Sequence, residues 1–395
     1  MCLLAALCEG YDLQSAAVCA SGISADFGPT PNELGTLFSA NTLGSMVGAL
    51  LGGRLADSAG RRPVLIAALL LFGIGSLASA ASWDMPALTW TRLLTGVGIG
   101  AALPTAFTLT NEHSRADRRR SAVALVYAAI PFGAGIVSLA SMLTPPAHWR
   151  YLFVAGGLMP VAVALAAMSG LEESPAFTAA RRLPAAPAPG AIGSFRGLLG
   201  NGRALTTLLL WPSFFFGWLT LYILLSWLPT LLVGAGFTPA RAAATQAAFN
   251  TGGGLMALLT AHSLEGRYRN ALMVTVFASV PLCVLLLRAT PLELNLIVPV
   301  VFALGCAVVV ALGFLYSLAP TCYPAAIRGV GVGAAVAMGR LGAVVGPKLG
   351  GVLRSQGHAL PRVLLDILPL VLLGSVAALL LVWQAARAPA VEADR

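Results

Sequence analysis

Two carboxylates and two guanidinium groups stand inside apolar runs, where charge is costly and therefore meaningful. Glu9 and Asp12 are three residues apart in the run that opens the chain, so on a helix they share one face. In a low-dielectric setting, carboxylates this close do not both ionise readily, and such a pair is poised to take up and release a proton. Arg340 lies 12 residues beyond Arg328, about 18 Å along a helix. That places it near the middle of a hydrocarbon layer about 30 Å thick. A guanidinium at that depth requires an anion, and its planar fork suits a carboxylate held by two hydrogen bonds. The anion is either a substrate or one of Glu9 and Asp12. Arg92 is a second candidate for a substrate carboxylate. Lys348 lies nearer the opposite end, where its stem reaches water.

The elements that position these groups follow from composition. Hydrophobic residues make up 58% of the 395 residues and charged residues 10%, and mean hydropathy is +0.85. A water-soluble globule of this length needs far more charge to cover its surface, so the chain is read as all-α and membrane-embedded. The net charge of +9 comes from short clusters between apolar runs. It orients spans and does not form a nucleic-acid-binding face. Six cysteines and four histidines show no zinc-binding or catalytic spacing, so neither a metal nor a cofactor is expected.

Apolar runs separated by loop signals predict twelve spans near 2–26, 33–53, 63–82, 86–111, 121–143, 150–170, 204–232, 240–262, 271–288, 294–319, 329–352 and 363–385. The first run leads straight into further spans, so it reads as a span and not as a cleavable signal peptide. The longest polar stretch, 172–203, carries a proline- and alanine-rich run from Pro184 to Gly190 that cannot continue a helix. It separates a first six-helix bundle (1–171) from a second (204–395). Arginines favour one side by roughly threefold: Arg61, Arg62, Arg115, Arg118 to Arg120, the central cluster, Arg267, Arg269, Arg328 and Arg387, against Arg150, Arg241, Arg288, Arg354 and Arg362. That bias puts both termini and the central loop in the cytoplasm.

Gly44, Gly48 and Gly52, and again Gly342, Gly346 and Gly350, recur every four residues. Each stripe predicts a face for close helix approach, with the two in related positions of the halves. Gly96, Gly98 and Gly100 follow no strand and also read as packing, not as a dinucleotide site. The run 204–232 holds Trp211, Phe214, Phe215, Phe216, Trp218, Tyr222 and Trp227. Rings from this set that face a central cavity suit a flat aromatic substrate. Pro104, Pro131 and Pro212 fall inside spans and predict kinks.

The loops carry a resemblance. GRLADSAGRR (53–62), RLLTGVGIGAALP (92–104), the Glu112/Arg119 pair and LEESPAF (171–177) resemble signatures of the major facilitator superfamily. Within it, Glu9-Gly10-Tyr11-Asp12 and YPAAIRGVGVGAAVAMGRLGAVVGP (323–347) resemble the aromatic acid/proton symporters. The resemblance implies twelve helices in two bundles in a bacterial inner membrane, working as a monomer and importing a small aromatic carboxylate with protons. The proton gradient is then the only energy source. It also implies that Glu9, Asp12 and Arg340 belong to the transport pathway. In the mechanism expected on that basis, Glu9 and Asp12 carry the protons, and the substrate carboxylate meets Arg340, with Arg92 as a second candidate, beside Tyr222, Trp227 and Tyr127. Asp57, Arg61, Glu112 and Arg119 would lock the cytoplasmic face, with Asp57 able to cap a helix and Gly60 making the tight turn. The second-half copy of the first signature, 263–269, lacks the aspartate. Two rivals share the fold. A carrier of non-aromatic acids is one. The other is a drug exporter, although 121–143 has only Pro131, Gly133 and Gly135 of the exporter pattern. An enzyme lacks a nucleophile–base set, and a receptor leaves Glu9, Asp12 and Arg340 unexplained.

Overall fold

A computed structural model describes residues 1–115, 118–174, 177–178, 198–200, 203–260 and 269–387. Its helices are α1 (Cys2–Val18), α2 (Ala20–Phe27), α3 (Pro31–Ala59), α4 (Arg61–Ala80), α5 (Met85–His113), α6 (Arg119–Leu143), α7 (Trp149–Gly170), α8 (Ala204–Gly234), α9 (Pro239–Thr260), α10 (Arg269–Ala289), α11 (Leu294–Leu318), α12 (Ala325–Ser355) and α13 (Leu360–Arg387). Every expected span meets its helix within a few residues. The run 184–190 and most of the loop 263–269 lie outside the described residues.

Ten of these helices have the length and apolarity to cross a membrane. The other two crossings depart for visible reasons. The first is broken at Cys19, where α2 turns onto the 3₁₀ turn Pro146–His148. In α9, Gln246 and Asn250 lower the hydropathy and are spent on contacts with the first half. Pro104, Pro131 and Pro212 all lie inside unbroken helices.

The pattern of neighbours repeats between halves. In the first, α3 packs on α5, α1 on α6, and α4 on α5 and α7; in the second, α9 packs on α11, α8 on α12, and α10 on α11 and α13. Between halves the main contacts are α3 with α12 and α6 with α9.

Close approach within these pairs rests on glycine. Side chains at Gly44 and Gly48 would overlap the carbonyls of Leu93 and Val97, while on the facing helix Gly96 and Gly100 abut the carbonyls of Asn41 and Ser45. The GxGxG run is therefore packing. Gly342 and Gly346 abut the carbonyls of Phe215 and Leu219 on α8, and Gly350 abuts Trp227. The two stripes occupy related contacts, as expected: α3 and α12 are each the middle helix of a three-helix unit, and each packs on the first helix of the other unit of its half, α5 and α8. Gly10 sits against the carbonyl of Ile130, so the glycine between Glu9 and Asp12 presses α1 onto α6.

A bulky residue at the α3–α5 contact forces these helices apart, and overpacking typically costs about 1–3 kcal/mol. Gly48→Leu is expected to lose the monodisperse peak on size-exclusion chromatography in detergent. Gly53→Leu, whose side chain meets nothing within 4 Å at its first carbon, is expected to retain it.

Candidate functional site

The most enclosed charges are Asp12 and Arg92, both at 0% exposure. Arg92 on α5 donates from its two terminal nitrogens to the two carboxylate oxygens of Asp12 on α1, at 2.8 and 2.5 Å. One nitrogen also reaches the Asp12 carbonyl at 3.3 Å. Ser76 of α4 donates to the same carboxylate at 3.0 Å, and the guanidinium lies 5.3 Å from the ring centre of Phe153 on α7. Four helices of the first half thus meet at one ion pair. The sequence expectation that Arg92 faces a substrate is corrected here, because its fork is already filled by Asp12. Ser76 and Phe153 were not legible as partners, being an ordinary serine and phenylalanine in apolar runs.

The second group centres on Arg340, midway along α12. Among the described residues no carboxylate comes within 4 Å of its guanidinium. Glu9, Tyr127, Tyr222 and Tyr316 all lie within its electrostatic reach. Trp218 has its ring centre 5.8 Å from the guanidinium carbon. Glu9 is 6% exposed and makes no hydrogen bond or ion pair among the described residues. The helical face shared by Glu9 and Asp12 thus serves two cations, Asp12 turning into its own bundle and Glu9 toward the second half. Trp227 is not in this group. Its indole N–H donates to the Pro347 carbonyl at 2.8 Å and its ring meets Phe38 edge-on at 5.5 Å, so it fills the contact between α8, α12 and α3. Tyr316, the only tyrosine in its apolar run, carried no sequence signal beyond its type.

At the end of the molecule that carries residues 54–62, the expected lock takes a different form. Arg61 lies 3.6 Å from Asp57 and 3.7 Å from Glu112, and its guanidinium lies over Phe177. Asp57 does not cap α4, for its side chain is 80% exposed. Glu173 takes that role, accepting from the N–H groups of Arg61 and Arg62 at 3.0 and 3.2 Å. Gly60 supplies the turn with φ of 107°, and a side chain there would strike Glu173. Ser174 donates to Glu112. Arg119 stands apart, donating to the Ser114 carbonyl at 3.2 Å. None of these contacts reaches the second half.

Hydrogen bonds between halves, among the described residues, gather near the middle and at the opposite end. Gln14 donates to the Leu225 carbonyl at 2.9 Å, and Gln246 to Gln14 at 3.4 Å. Ser39 donates to the Val344 carbonyl at 2.8 Å. Lys348 donates to Thr36 at 2.6 Å and to the Asn32 carbonyl at 3.4 Å. Gly35 and Gly351 come close enough that a side chain on either would press on the other. The halves are therefore joined at the end that holds Lys348. Gln14 and Gln246 are polar groups inside apolar runs, and that placement is the signal by which the sequence marks them.

Removing the Glu173 cap is worth about 0.5–2 kcal/mol. Glu173→Ala is expected to lower the thermal midpoint in detergent by a few degrees, and Asp57→Ala by distinctly less. An equal fall in both would contradict the assignment of the cap.

Comparison with known proteins matches this architecture. The chain is 38% identical to the 3-(3-hydroxy-phenyl)propionate transporter of Escherichia coli K12, covering 98% of this chain and 94% of the relative. It is 32% identical to the gallate transporter of Pseudomonas putida, covering 91% and 86%, and 30% identical to a 4-hydroxybenzoate transporter of Pseudomonas aeruginosa, covering 96% and 91%. Among solved structures, the D-xylose-proton symporter superposes with a TM-score of 0.77 at 19% identity over 96% of this chain and 95% of that one. The inward open xylose transporter of Escherichia coli gives 0.74 at 19% identity, over 97% and 94%. A family model matches residues 2–347, and the chain belongs to the Major Facilitator Superfamily, a multi-pass membrane transporter of two six-helix bundles.

Proposed function

We propose that this protein imports aromatic carboxylates together with protons across a bacterial inner membrane, by alternating access. The observation that carries this reading is Arg340, a mid-membrane guanidinium with no carboxylate within 4 Å among the described residues and aromatic side chains around it. An isolated charge at such depth is expensive, and a substrate carboxylate in its fork offsets that cost. Tyr127, Tyr222 and Trp218 supply ring contacts. The named substrates of the relatives, 3-(3-hydroxy-phenyl)propionate, gallate and 4-hydroxybenzoate, fit this chemistry.

Residues 1–171 and 204–395 act as the two rocking bodies, linked by 172–203, in a monomer with both termini cytoplasmic. In that orientation the end joined through Lys348 is periplasmic, and the state described here faces the cytoplasm. Proton coupling is assigned to Asp12 and Glu9. A proton on Asp12 removes the charge that holds Arg92, and loosens the junction of α1, α4, α5 and α7. A proton on Glu9 removes the protein anion that competes with substrate for Arg340. The two bundles need differ by only a few kcal/mol between states to interconvert. Arg61, Glu112 and Glu173 hold the cytoplasmic loop of the first bundle in shape as it moves.

The test is accumulation of labelled 3-(3-hydroxyphenyl)propionate in cells expressing matched membrane levels of each variant. Asp12→Asn is expected to abolish accumulation against a gradient. Arg340→Lys keeps the charge but loses the fork, and is expected to raise the KM for uptake at least about tenfold. Full accumulation by Asp12→Asn would refute the proton-carrier role, and an unchanged KM in Arg340→Lys would remove the carboxylate from that site.

A further inference from the structure

We infer that Tyr316 is a specificity-determining residue that makes the carrier prefer aromatic carboxylates bearing a ring hydroxyl over unsubstituted ones. The inference rests on the reading of Arg340 as the carboxylate seat and goes beyond it to the other end of the substrate. Tyr222 from α8 and Tyr316 from α11 pack on the ring of Trp218, whose centre lies 5.8 Å from the guanidinium carbon of Arg340, and Tyr127 from α6 lies within the field of the same guanidinium. Tyr127 and Tyr222 hydrogen-bond to no described residue. A wall that only had to be flat and apolar could be built from phenylalanine, and a phenol that meets no partner in an apolar layer is costly. Three phenols around one cation instead make a surface that both donates and accepts hydrogen bonds, as a ring hydroxyl does.

Tyr316 is the most firmly held of the three. Its ring meets Phe214 edge-on at 5.2 Å and Trp218 edge-on at 6.4 Å. Trp218 in turn packs against Tyr222 at 5.7 Å and lies close over Gly339, where a first side-chain carbon would come within 2.5 Å of the indole. The glycine before Arg340 thus gives Trp218 its seat, and Trp218 braces both Tyr316 and the guanidinium. A hydroxyl fixed in this way discriminates, because a site built to bond a substrate hydroxyl loses that bond when the hydroxyl is missing.

The experiment compares uptake of labelled 3-(3-hydroxyphenyl)propionate and labelled 3-phenylpropionate in wild type, Tyr316→Phe and Tyr323→Phe. The ratio of the two rates does not depend on how much carrier reaches the membrane. Tyr323 bonds Thr207 at 3.1 Å and controls for loss of a phenol elsewhere. The wild type is expected to favour the hydroxylated acid, and Tyr316→Phe to lower that ratio about three- to tenfold while Tyr323→Phe leaves it unchanged. An unchanged ratio in Tyr316→Phe, or an equal fall in Tyr323→Phe, overturns the assignment. Competition on the wild type supplies a measurement that needs no variant: equal inhibition by the two unlabelled acids also overturns it. If the wild type carries neither acid, the failure lies with the proposed function itself, and this inference falls with it.

Discussion

An ion pair closed off from water governs how the first bundle is built. Asp12 and Arg92 have no exposure, and their mutual attraction offsets the loss of hydration only because the geometry is bidentate and Ser76 adds a third hydrogen bond. Removing one partner from such a pair typically costs about 3–5 kcal/mol, since the other charge is left uncompensated. The pair therefore requires α1, α4, α5 and α7 to meet within hydrogen-bond distance. The glycine contacts make that possible. Gly44 and Gly48 against α5, and Gly10 against α6, let backbones approach where any larger side chain would hold them apart. Charge and packing are two halves of one constraint: the glycines bring the helices together, and the ion pair fixes which faces meet.

The second bundle is organised around the opposite condition. Its central cation, Arg340, has aromatic neighbours in place of a bonded carboxylate, so its requirement for an anion points outward to a ligand. Glu9 stands between the two systems, one turn from Asp12 on α1 and within the field of Arg340. A single short stretch of helix thus touches both the buried pair and the site open to an anion, which gives a physical route for proton and substrate to influence each other. The contacts through Lys348, Ser39 and Gln14 then join the bundles on one side of that site, and the loop cluster of Arg61, Glu112 and Glu173 braces one bundle on the other.

Much of this was legible in the sequence, for reasons that differ by feature. Spans are written in runs of about 20 apolar residues, and charges inside such runs are too costly to be incidental, so Glu9, Asp12, Arg92 and Arg340 stood out. What they meet was not legible. Arg92 finds an aspartate 80 positions away, and periodicity along one helix does not tell which neighbour it will face. Trp227 and Tyr222 lie on the same helix, yet one packs between bundles and the other beside Arg340. Asp57 looked like a cap because it is near the turn, whereas the cap comes from Glu173, 112 positions beyond Arg61. Tyr316 had no pattern around it at all. The glycine stripes were legible as packing faces in related positions, because four-residue spacing puts each set on one helix face, but that spacing carries no information about which helix each face meets.

The most direct test is proton movement itself, measured with a pH-sensitive dye trapped inside liposomes that hold the purified carrier. With no membrane potential and equal pH on both sides, an inward gradient of 3-(3-hydroxyphenyl)propionate should acidify the interior faster with the carrier than in empty liposomes, and that excess should vanish in the Asp12→Asn protein. Substrate entry without any acidification beyond that of empty liposomes would contradict the account, because substrate would then move without the proton that the Asp12–Arg92 pair is built to register.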